Sequence, residues 1–414
     1  MKKIVVGLSG GVDSAVTAYL LKEQGFEVIG VTLCMHGNAE KEVADAAAVA
    51  ARIGIKHRVV ELQGKFKENI IRYFTESYKK GETPNPCMVC NPLMKWSALL
   101  SVAEEEGAEG VATGHYAGVV RLANGRYAIR CAESAAKDQA YVLYGLSQEQ
   151  LAKTRMPLAS YEKDEIRAIA AKIGLSVADK ADSMEICFLP EGEVYTDYLV
   201  KNEGVEPVKG NFVDEDGTVL GTHQGIVYYT VGQRKGLGIA FGEPRYVKEL
   251  RPETNEVVLS GNDALQSAIV YVREYRGMAL EQIEDGMRLL AKIRYSHKGA
   301  MCTVYHDGEG LRLEFDDPQR AATPGQAVVF YREEEIVANE AECCGEQPDV
   351  TIAQAPETLS GTALVVAGGA VICRKSIKNA EAGGFGHDRG EKNNTTDKRC
   401  NDADHRIRHL ACGK

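Results

Sequence analysis

The sequence lacks three features that would assign it to a familiar class of protein. No apolar run approaches the roughly 18 residues that a membrane-spanning helix needs, which excludes that kind of membrane protein. Positive charge is in deficit, because 49 basic residues face 59 acidic ones and leave a net charge of −10. That deficit disfavours a general nucleic-acid binder, although a local basic face can still bind phosphate. The apolar stretch from Ile4 to Leu8 is too short for a signal peptide, so we expect a cytoplasmic protein.

Two further absences concern chemistry. No Gly-Lys-Ser/Thr follows the glycine-rich loop at residues 9–14, which excludes a Walker A phosphate loop. A disulfide framework is not expected for the eleven cysteines, because disulfides are rare in a reducing compartment. Clustered cysteines then favour catalysis, metal binding or persulfide chemistry, whereas single cysteines such as Cys34 and Cys131 favour burial.

The first 200 residues alternate apolar strands with amphipathic helices. Strands are predicted at residues 3–8, 28–33 and 57–62, with a fourth ending at 111–114, and helices at 15–24 and 44–53. This order predicts an α/β fold with a doubly wound parallel sheet, whose ligands bind at the C-terminal ends of the strands.

The texture changes near Gly204 to segments rich in Gly, Thr, Val and Tyr, which are typical of β structure. Strand signals lie at residues 211–213, 225–231, 246–247, 256–259, 289–295, 327–331 and 363–372. We predict a catalytic domain at 1–203, a small central domain at 204–262, a C-terminal β-barrel at 263–372 with an insertion near 333–361, and a disordered tail at 373–414.

The loop between the first strand and the first helix predicts a nucleotide site. It reads Ser9-Gly10-Gly11-Val12-Asp13-Ser14. Its glycines let the backbone approach an anion closely, and the N–H groups of the first helical turn face phosphate. Asp13 would repel phosphate unless Mg²⁺ lies between them, so the loop predicts a metal-bridged pyrophosphate.

This hexapeptide resembles the PP-loop of the ATP pyrophosphatase superfamily. Members of that superfamily cleave ATP between the α and β phosphates and adenylate a carbonyl-type oxygen. They include GMP synthetase, NAD synthetase, argininosuccinate synthase and several tRNA-modifying enzymes. The resemblance implies that Gly7, Leu8 and the hexapeptide bind ATP.

Further motifs narrow the choice within this superfamily. They are Thr-Pro-Asn-Pro-Cys-Met-Val-Cys-Asn at 83–91, Thr-Gly-His-Tyr at 113–116, Lys-Asp-Gln at 137–139, Asp-Ser-Met-Glu-Ile-Cys-Phe at 182–188 and Gly-Gln-Arg-Lys-Gly-Leu-Gly at 232–238. Together they resemble the bacterial and mitochondrial tRNA-specific 2-thiouridylases, over about residues 1–332 plus the strand ending near Ile372. The resemblance implies that ATP adenylates O2 of the wobble uridine (U34) and that a persulfide sulfur then replaces this oxygen.

The same resemblance implies roles for individual residues. Cys187 would carry the persulfide, Cys90 would be the nucleophile, and both are expected to be exposed thiols of low pKa when active. Asp13 would be catalytic, and Leu33 and Gly114 would contact the nucleotide. The positions implied to contact tRNA are Asn85, Pro86, Cys87, His115, Lys137, Asp138, Gln139, Arg294, Tyr295 and Gln326.

Cys87 departs from the family pattern, because many members have Asp at this position. Together with Cys90 and Cys187 it could supply three ligands to a [4Fe-4S] cluster, leaving the fourth iron for sulfide. The Cys-x-x-Cys spacing also suits zinc or a redox disulfide, so these alternatives stay open.

The implied partners are the tRNAs for Lys, Glu and Gln, together with a cysteine desulfurase or a sulfur-relay protein as donor. Two other functions remain as alternatives. One is a small-molecule PP-loop ligase or amidotransferase, which would not need paired cysteines. The other is a non-catalytic tRNA-binding protein built on the β domains.

Overall fold

The computed structural model describes residues 1–37, 39–178, 180, 186–190, 192–336 and 359–372, with only the backbone described at 333–336 and 359–372. The predicted tail at 373–414 and the middle of the predicted insertion lie outside these residues. None of the helices in the described part of the chain has both the length and the apolar character that crossing a bilayer requires.

Strands and helices alternate in the N-terminal part. The strands are β1 (Lys3–Gly7), β2 (Glu27–Cys34), β3 (Lys56–Glu61), β4 (Gly110–Ala112), β5 (Ala117–Arg121), β6 (Tyr127–Cys131) and β7 (Thr154–Arg155). The α-helices are α1 (Val12–Glu23), α2 (Ala39–Ile53), α3 (Gln63–Phe66), α4 (Arg72–Lys79), α5 (Pro86–Cys90), α6 (Ser97–Glu106), α7 (Gln148–Ala152), α8 (Lys163–Lys172) and α9 (Tyr195–Lys201). Single π-helical turns, Lys67–Ile71 and Asn91–Trp96, join α3 to α4 and α5 to α6. Short 3₁₀ turns lie at Ala140–Leu143 and Pro157–Ser160.

Five of these strands form a parallel sheet in the order β3-β2-β1-β4-β7. The chain moves outward from β1 to β3 and then returns to the other side of β1 to make β4. The strand order therefore reverses between β1 and β4, and ligands bind at such a switch point outside the carboxyl ends of the strands. The predicted doubly wound α/β fold is confirmed.

Apolar side chains cover both faces of this sheet. Val5 packs on the face that holds Trp96 and Leu99, whereas Ile4 and Val6 point to the opposite face, against α1, α2 and α8. Strands buried on both faces are typical of parallel sheets. Burying each large side chain contributes on the order of 1.5–3 kcal/mol, which holds the switch point in a rigid frame.

The central part forms a separate four-stranded sheet. Its strands are β8 (Gly210–Val213), β9 (Val219–His223), β10 (Tyr246–Arg251) and β11 (Glu256–Ser260), in the order β10-β11-β8-β9. The strand predicted at 225–231 is wrong, because a 3₁₀ turn, Ile226–Tyr228, occupies it. Val227 packs into the cluster around Phe66, whereas Tyr229 packs against Phe212 of this sheet. The segment therefore links two cores instead of pairing with a strand.

The last six strands close into a barrel. They are β12 (Gln266–Gly277), β13 (Met287–Lys292), β14 (Ala300–Asp307), β15 (Gly310–Arg320), β16 (Ala327–Ile336) and β17 (Leu359–Ile372), and a 3₁₀ turn, Asp263–Leu265, precedes them. Their order is β12-β15-β14-β13-β16-β17, and β12 also pairs with β17. This closure removes the free sheet edges and confirms the predicted barrel.

The limits of some strands and domains differ from those predicted. The strand predicted at 289–295 ends at Lys292, and the strand predicted at 363–372 begins at Leu359. Residues 333–336 and 359–361, predicted as insertion, extend the paired strands β16 and β17. The β5–β6 hairpin belongs to the predicted first domain, yet β6 pairs with β17 and so extends the sheet of the barrel. The domain limits at 203 and 262 stay a prediction.

Candidate active site

The nucleotide loop lies at the switch point, directly after β1. Gly11 precedes α1 in an extended conformation, and Gly10 has a φ of 69°, which favours glycine. The Ser14 hydroxyl accepts from the Ser9 N–H at 3.2 Å and donates to the Gly11 carbonyl at 3.1 Å. These bonds shape the loop so that the first turn of α1 presents its N–H groups and positive dipole end.

Gly114 packs directly on this loop from the end of β4. A Cβ atom at Gly114 would lie 2.7 Å from the backbone N of Ser14 and 2.8 Å from the carbonyl carbon of Asp13. Only glycine permits this approach. Leu33, which is half-buried, lies at the end of the neighbouring β2. The residues predicted to bind the nucleotide therefore meet at the ends of β1, β2 and β4.

Asp13 has a partner that sequence reasoning missed. Lys163, at the start of α8, donates to both carboxylate oxygens of Asp13 at 2.8 and 2.9 Å, and the Tyr116 hydroxyl donates to one of them at 2.9 Å. Lys163 is only 9% exposed. A cation is unfavourable in the first turn of a helix because of the helix dipole. The place of Lys163 at the start of α8 could therefore have indicated, from the sequence, that it has an acidic partner. The charge of Asp13 is thus already balanced by the protein.

A second lysine contacts the loop from another part of the chain. The ammonium of Lys180 donates to the Gly10 carbonyl at 2.9 Å and to the Asp45 carboxylate at 2.7 Å. Lys180 precedes Cys187 by seven positions in the sequence. It therefore ties the chain that leads toward Cys187 to the nucleotide loop.

The Cys-x-x-Cys pair lies on α5, which begins in a proline-rich turn. Asn85 caps this helix, its side-chain oxygen accepting from the Cys87 N–H at 3.2 Å, and Pro86 occupies the first helical position. Cys87 is half-buried on this helix, and Cys187 is exposed. Cys90 is the last residue before the π-helical turn, a kind of turn that is frequent at functional sites.

Cys90 is buried in this structure, so the expectation that it is an exposed thiol of low pKa when active stays a prediction. Cys90 is only 4% exposed, and its Sγ lies 4.0 Å from the Sδ of Met35. Burial raises the pKa of Cys90 to about 12; Lys95 lowers it, and Cys187 and Cys87 raise it. The reason is its place on the inner face of α5, in the cluster that holds Phe66 and Phe188.

The pKa of Cys187 is raised as well. Although it is exposed, desolvation by the surrounding protein raises its pKa, and Lys95 opposes the rise. Cys34 is buried, as expected, and Cys131 is half-buried, with a pKa that burial raises to about 12.

Lys95 is the cation of the thiol cluster, and no motif in the sequence singled it out. It lies in the π-helical turn five positions after Cys90 and is half-buried. Burial lowers its pKa, but Cys90, Cys87 and Cys187 raise it more, so that the net pKa is raised. One ammonium therefore acts on all three thiols, which defines a thiol cluster of Lys95, Cys87, Cys90 and Cys187.

His115 lies between the nucleotide loop and the thiol cluster. It follows Gly114, its Nδ1 is 2.9 Å from the Thr113 hydroxyl, and its ring centroid is 5.6 Å from that of Trp96. Burial, followed by the charge of Lys95, lowers the pKa of His115 to about 3. The imidazole is therefore neutral near pH 7 and can stack or form hydrogen bonds, but it does not supply positive charge.

Several positions predicted to contact tRNA converge beside Cys87. Tyr295 is 47% exposed, and its hydroxyl donates to the Asp138 carbonyl at 3.2 Å. Burial raises the pKa of the Tyr295 hydroxyl. The charges of Asp138 and Cys87 add to this rise, and the charge of Lys137 opposes it. Arg294 and Tyr295 lie in the turn after β13, and not on the strand predicted at 289–295. A hydrogen bond from the His297 N–H to the Arg294 carbonyl turns the chain there.

Other members of that set have their side chains engaged within the protein. The Asp138 carboxylate accepts from the N–H groups of Ala132 and Ala140, at 2.9 and 3.4 Å. The remaining contacts run from the Tyr116 N–H to Gln139 Oε1 at 2.9 Å, from Arg294 to the Arg320 carbonyl at 3.1 Å and from Gln326 Nε2 to the Thr83 carbonyl at 2.7 Å. These side chains therefore also hold the protein surface in shape, through hydrogen bonds within the chain.

The three cysteines do not form a metal site in this geometry. In the described part of the chain, which includes Cys87, Cys90 and Cys187, no group of three or more His, Cys, Asp or Glu side chains is arranged to hold a metal ion. Cys90 points into an apolar cluster while Cys187 is exposed. In this arrangement the three cysteines therefore fit neither the predicted iron–sulfur cluster nor a zinc ion.

The geometry defines a class of protein: a doubly wound nucleotide-binding domain with thiols beside its phosphate loop, followed by two β units. Three family sequence models match the chain in this order. They are described as a tRNA methyl transferase HUP domain at residues 2–191, a tRNA methyl transferase PRC-barrel domain at 197–261 and an aminomethyltransferase beta-barrel domain at 267–338.

Curated relatives identify the family within that class. The tRNA-specific 2-thiouridylase MnmA of Lachnoclostridium phytofermentans is 50% identical over 352 residues, covering 81% of this chain and 98% of the relative. The protein of the same name from Clostridium kluyveri is 46% identical over 351 residues, with the same coverage. The chain belongs to the tRNA-specific 2-thiouridylase family, whose members are tRNA-uridine sulfurtransferases.

Among solved structures, the U34-tRNA thiolase NcsA from Methanococcus maripaludis with its [4Fe-4S] cluster resembles the chain with a TM-score of 0.32. The two are 22% identical, over 45% of this chain and 61% of that one. A likeness this low carries no argument about cofactor or mechanism.

The Asp13–Lys163 pair makes a prediction about nucleotide binding. Lys163→Met leaves the Asp13 carboxylate unbalanced beside the phosphates, so we expect the KM for ATP to rise about tenfold or more. The conservative variant Lys163→Arg keeps a positive charge beside Asp13, so its KM should stay near the wild-type value. ATP-dependent pyrophosphate release with tRNA present measures it.

Lys172→Met is the matched control, because Lys172 lies at the exposed end of the same helix. It should leave the KM unchanged. A KM in Lys163→Arg as high as that in Lys163→Met would contradict the role of Lys163 in balancing the charge of Asp13.

The thiol cluster makes a prediction about reactivity. With a pKa of about 12, Cys90 of the ligand-free protein should be alkylated more slowly than Cys187 at pH 8, and its rate should rise about tenfold per pH unit as thiolate forms. Lys95→Met removes the charge that lowers both pKa values, so both thiols should react more slowly. Mass spectrometry of the labelled peptides measures each thiol.

Lys80→Met, at an exposed lysine after α4, is the control for a general change of charge. Alkylation of Cys90 ahead of Cys187, or unchanged rates in Lys95→Met, would contradict the role given to Lys95.

Proposed function

We propose that this sulfurtransferase adenylates O2 of the wobble uridine, U34, of tRNA with ATP and then replaces that oxygen with persulfide sulfur, giving 2-thiouridine, AMP and pyrophosphate. The observation that carries the proposal is the Gly114–His115 dipeptide. Gly114 packs on the nucleotide loop, and the His115 ring centroid lies 5.6 Å from that of Trp96, the residue after Lys95 of the thiol cluster. The groups for adenylation and the groups for sulfur transfer therefore lie on either side of one short segment of backbone.

The activation half uses the loop at the end of β1. Its N–H groups and the positive end of α1 bind the phosphates of ATP, and Leu33 and Gly114 contact the rest of the nucleotide. Mg²⁺ accompanies ATP, because it binds through phosphates and needs few protein ligands. Asp13 would be the protein ligand, through the carboxylate that also accepts hydrogen bonds from Lys163. The metal supplies charge neutralisation of the leaving pyrophosphate.

The transfer half uses the thiol cluster. A donor protein loads a sulfur atom onto Cys187, the exposed thiol, to form a persulfide. The Cys90 thiolate attacks Sγ of the Cys187 persulfide, which breaks the bond between the two persulfide sulfurs, forms a Cys90–Cys187 disulfide and releases the outer sulfur as hydrosulfide. Hydrosulfide attacks C2 of the adenylated uridine, and AMP leaves with the former O2. An external dithiol then supplies two electrons to reduce the disulfide.

The substrate-binding surface is formed by the residues that converge beside Cys87. Tyr295 offers an exposed ring for stacking on a base, and Lys137 offers a cation for phosphate. His115, Arg294, Asn85, Pro86, Asp138, Gln139 and Gln326 complete the proposed surface. The expected substrates are the tRNAs for Lys, Glu and Gln, and the expected donor is a cysteine desulfurase or a relay protein.

Cysteine variants test the transfer half. Cys90→Ser and Cys187→Ser should each abolish transfer of sulfur-35 to tRNA while ATP-dependent pyrophosphate release continues, because the nucleotide loop is intact. Cys302→Ser is the matched control, since Cys302 is buried in the barrel and a hydroxyl can still donate to the Leu289 carbonyl. Retained sulfur transfer in either active-site variant would overturn the mechanism.

Metal analysis tests the persulfide route against an iron–sulfur cluster. We expect anaerobically purified protein to contain no stoichiometric iron and to lack charge-transfer absorption, because Cys87, Cys90 and Cys187 are not grouped as ligands. The same preparation should thiolate tRNA once Cys187 carries a persulfide. Stoichiometric iron, together with thiolation that a chelator abolishes, would refute the persulfide route.

A further inference from the structure

Three parts of the chain meet at Thr83, four positions before Cys87. Thr83 lies between α4 and α5, in the segment that leads into the cysteine helix. The barrel reaches it through the turn at residues 324–326, and the central part reaches it through Thr230. Nothing in the reaction described above uses these contacts.

The barrel turn holds Thr83 by both of its backbone polar groups. The Thr83 N–H donates to the Pro324 carbonyl at 2.8 Å, and the side-chain amide of Gln326 donates to the Thr83 carbonyl at 2.7 Å. The two bonds resemble a pair of hydrogen bonds between two β-strands, except that one donor is a side-chain amide instead of a backbone N–H. Each bond contributes on the order of 1 kcal/mol, and together they fix position and direction.

Gly325 makes the approach possible. Its φ is 87°, and a Cβ atom there would lie 2.8 Å from the Thr83 backbone N and 2.9 Å from the Cβ of Glu82. Any larger residue would push the turn away from Thr83. Arg273 of β12 adds a weak ion pair with Glu82 at 3.7 Å.

The central part holds the same segment from the other side. A Cβ atom on Gly81 would lie 3.1 Å from side-chain atoms of Leu250 and of Pro252, so these two residues pack closely on the backbone there. The Thr83 hydroxyl lies 3.4 Å from that of Thr230. Residues 81–83 are therefore held between two units that lie outside the parallel sheet.

The link from Thr83 to the thiols is stiff. It reads Pro84-Asn85-Pro86, and both proline rings are buried. Proline fixes its own φ and keeps the preceding residue extended, so Thr83 and Asn85 have little freedom. Asn85 then caps α5 through the Cys87 N–H. A displacement at Thr83 is thus carried to Cys87 and Cys90 instead of being absorbed.

We propose that the barrel turn of Pro324, Gly325 and Gln326 is a positioning element for the cysteine helix and acts on it through Thr83. The C-terminal barrel then takes part in sulfur transfer through the backbone that leads to the thiols. The inference rests on the proposed sulfur transfer and adds a positioning role to this turn.

Two variants of the full-length protein test the proposal. Gln326→Met keeps the length of the side chain and removes the donor, and Gly325→Ala drives a methyl group against Thr83. Gly286→Ala is the matched control, because Gly286 lies in the same barrel with a φ of 82°, and a methyl group there would have nothing within 4 Å. Four quantities are measured: tRNA Kd, pyrophosphate release, single-turnover thiolation at saturating tRNA, and melting temperature.

We expect thiolation at saturating tRNA to fall about 10- to 100-fold in both variants, because small displacements of a nucleophile have effects of that size. Pyrophosphate release at saturating tRNA should stay within about twofold in both variants, since a misplaced thiol leaves the activation half intact. The tRNA Kd should stay within about twofold in Gly325→Ala, which keeps Gln326. Gly286→Ala should keep the wild-type thiolation rate even if its melting temperature falls as far as that of Gly325→Ala.

Other outcomes would overturn the proposal. Normal thiolation at saturating tRNA in both variants, with or without a raised tRNA Kd, would show that the turn does not position the thiols. A parallel fall of pyrophosphate release and thiolation would show a general effect on the site, as would an equal loss in Gly286→Ala. If the wild-type protein itself transferred no sulfur, the proposed function would fail instead of the positioning role.

Discussion

The close approach of Gly114 to the backbone of Ser14 is the constraint on which the rest of the site depends. It places the end of β4 against the start of α1, so the nucleotide loop and His115 share one short path of backbone. Both β1 and β4 are held by apolar side chains on two faces of the sheet. The switch point of the sheet thereby becomes a junction between a phosphate site and a thiol site.

Charge at this junction is balanced by lysines that come from distant parts of the chain. Lys163 neutralises Asp13 in the nucleotide loop, Lys180 joins that loop to Asp45, and Lys95 acts on three thiols. Such pairing allows carboxylates and thiols to lie close to a site for a polyanion. Desolvation nevertheless raises the pKa of Cys90 and that of Cys187, and Lys95 opposes both rises.

The three structural units cooperate more closely than their order along the chain indicates. The β5–β6 hairpin extends the sheet of the barrel, and the Tyr141 hydroxyl donates to the barrel's Ala327 carbonyl at 2.8 Å. The segment that leads to α5 is held by the barrel turn and by the central part. Sulfur transfer in such an arrangement is a property of the assembled chain, and the parallel sheet alone does not hold the cysteine helix.

The sequence by itself determined the features that are local: the strand–loop–helix at Ser9–Ser14, the capped Cys-x-x-Cys helix and the change from α/β to β texture near residue 204. These depend on glycine, proline and apolar spacing within a few residues. Only the tertiary structure decided that Cys90 is buried, that Lys163 and Lys95 are the cations of the site and that Gln326 contacts Thr83. Ion pairs and hydrogen bonds join residues up to 243 positions apart, and no local pattern encodes which of many lysines or glutamines will meet a given partner.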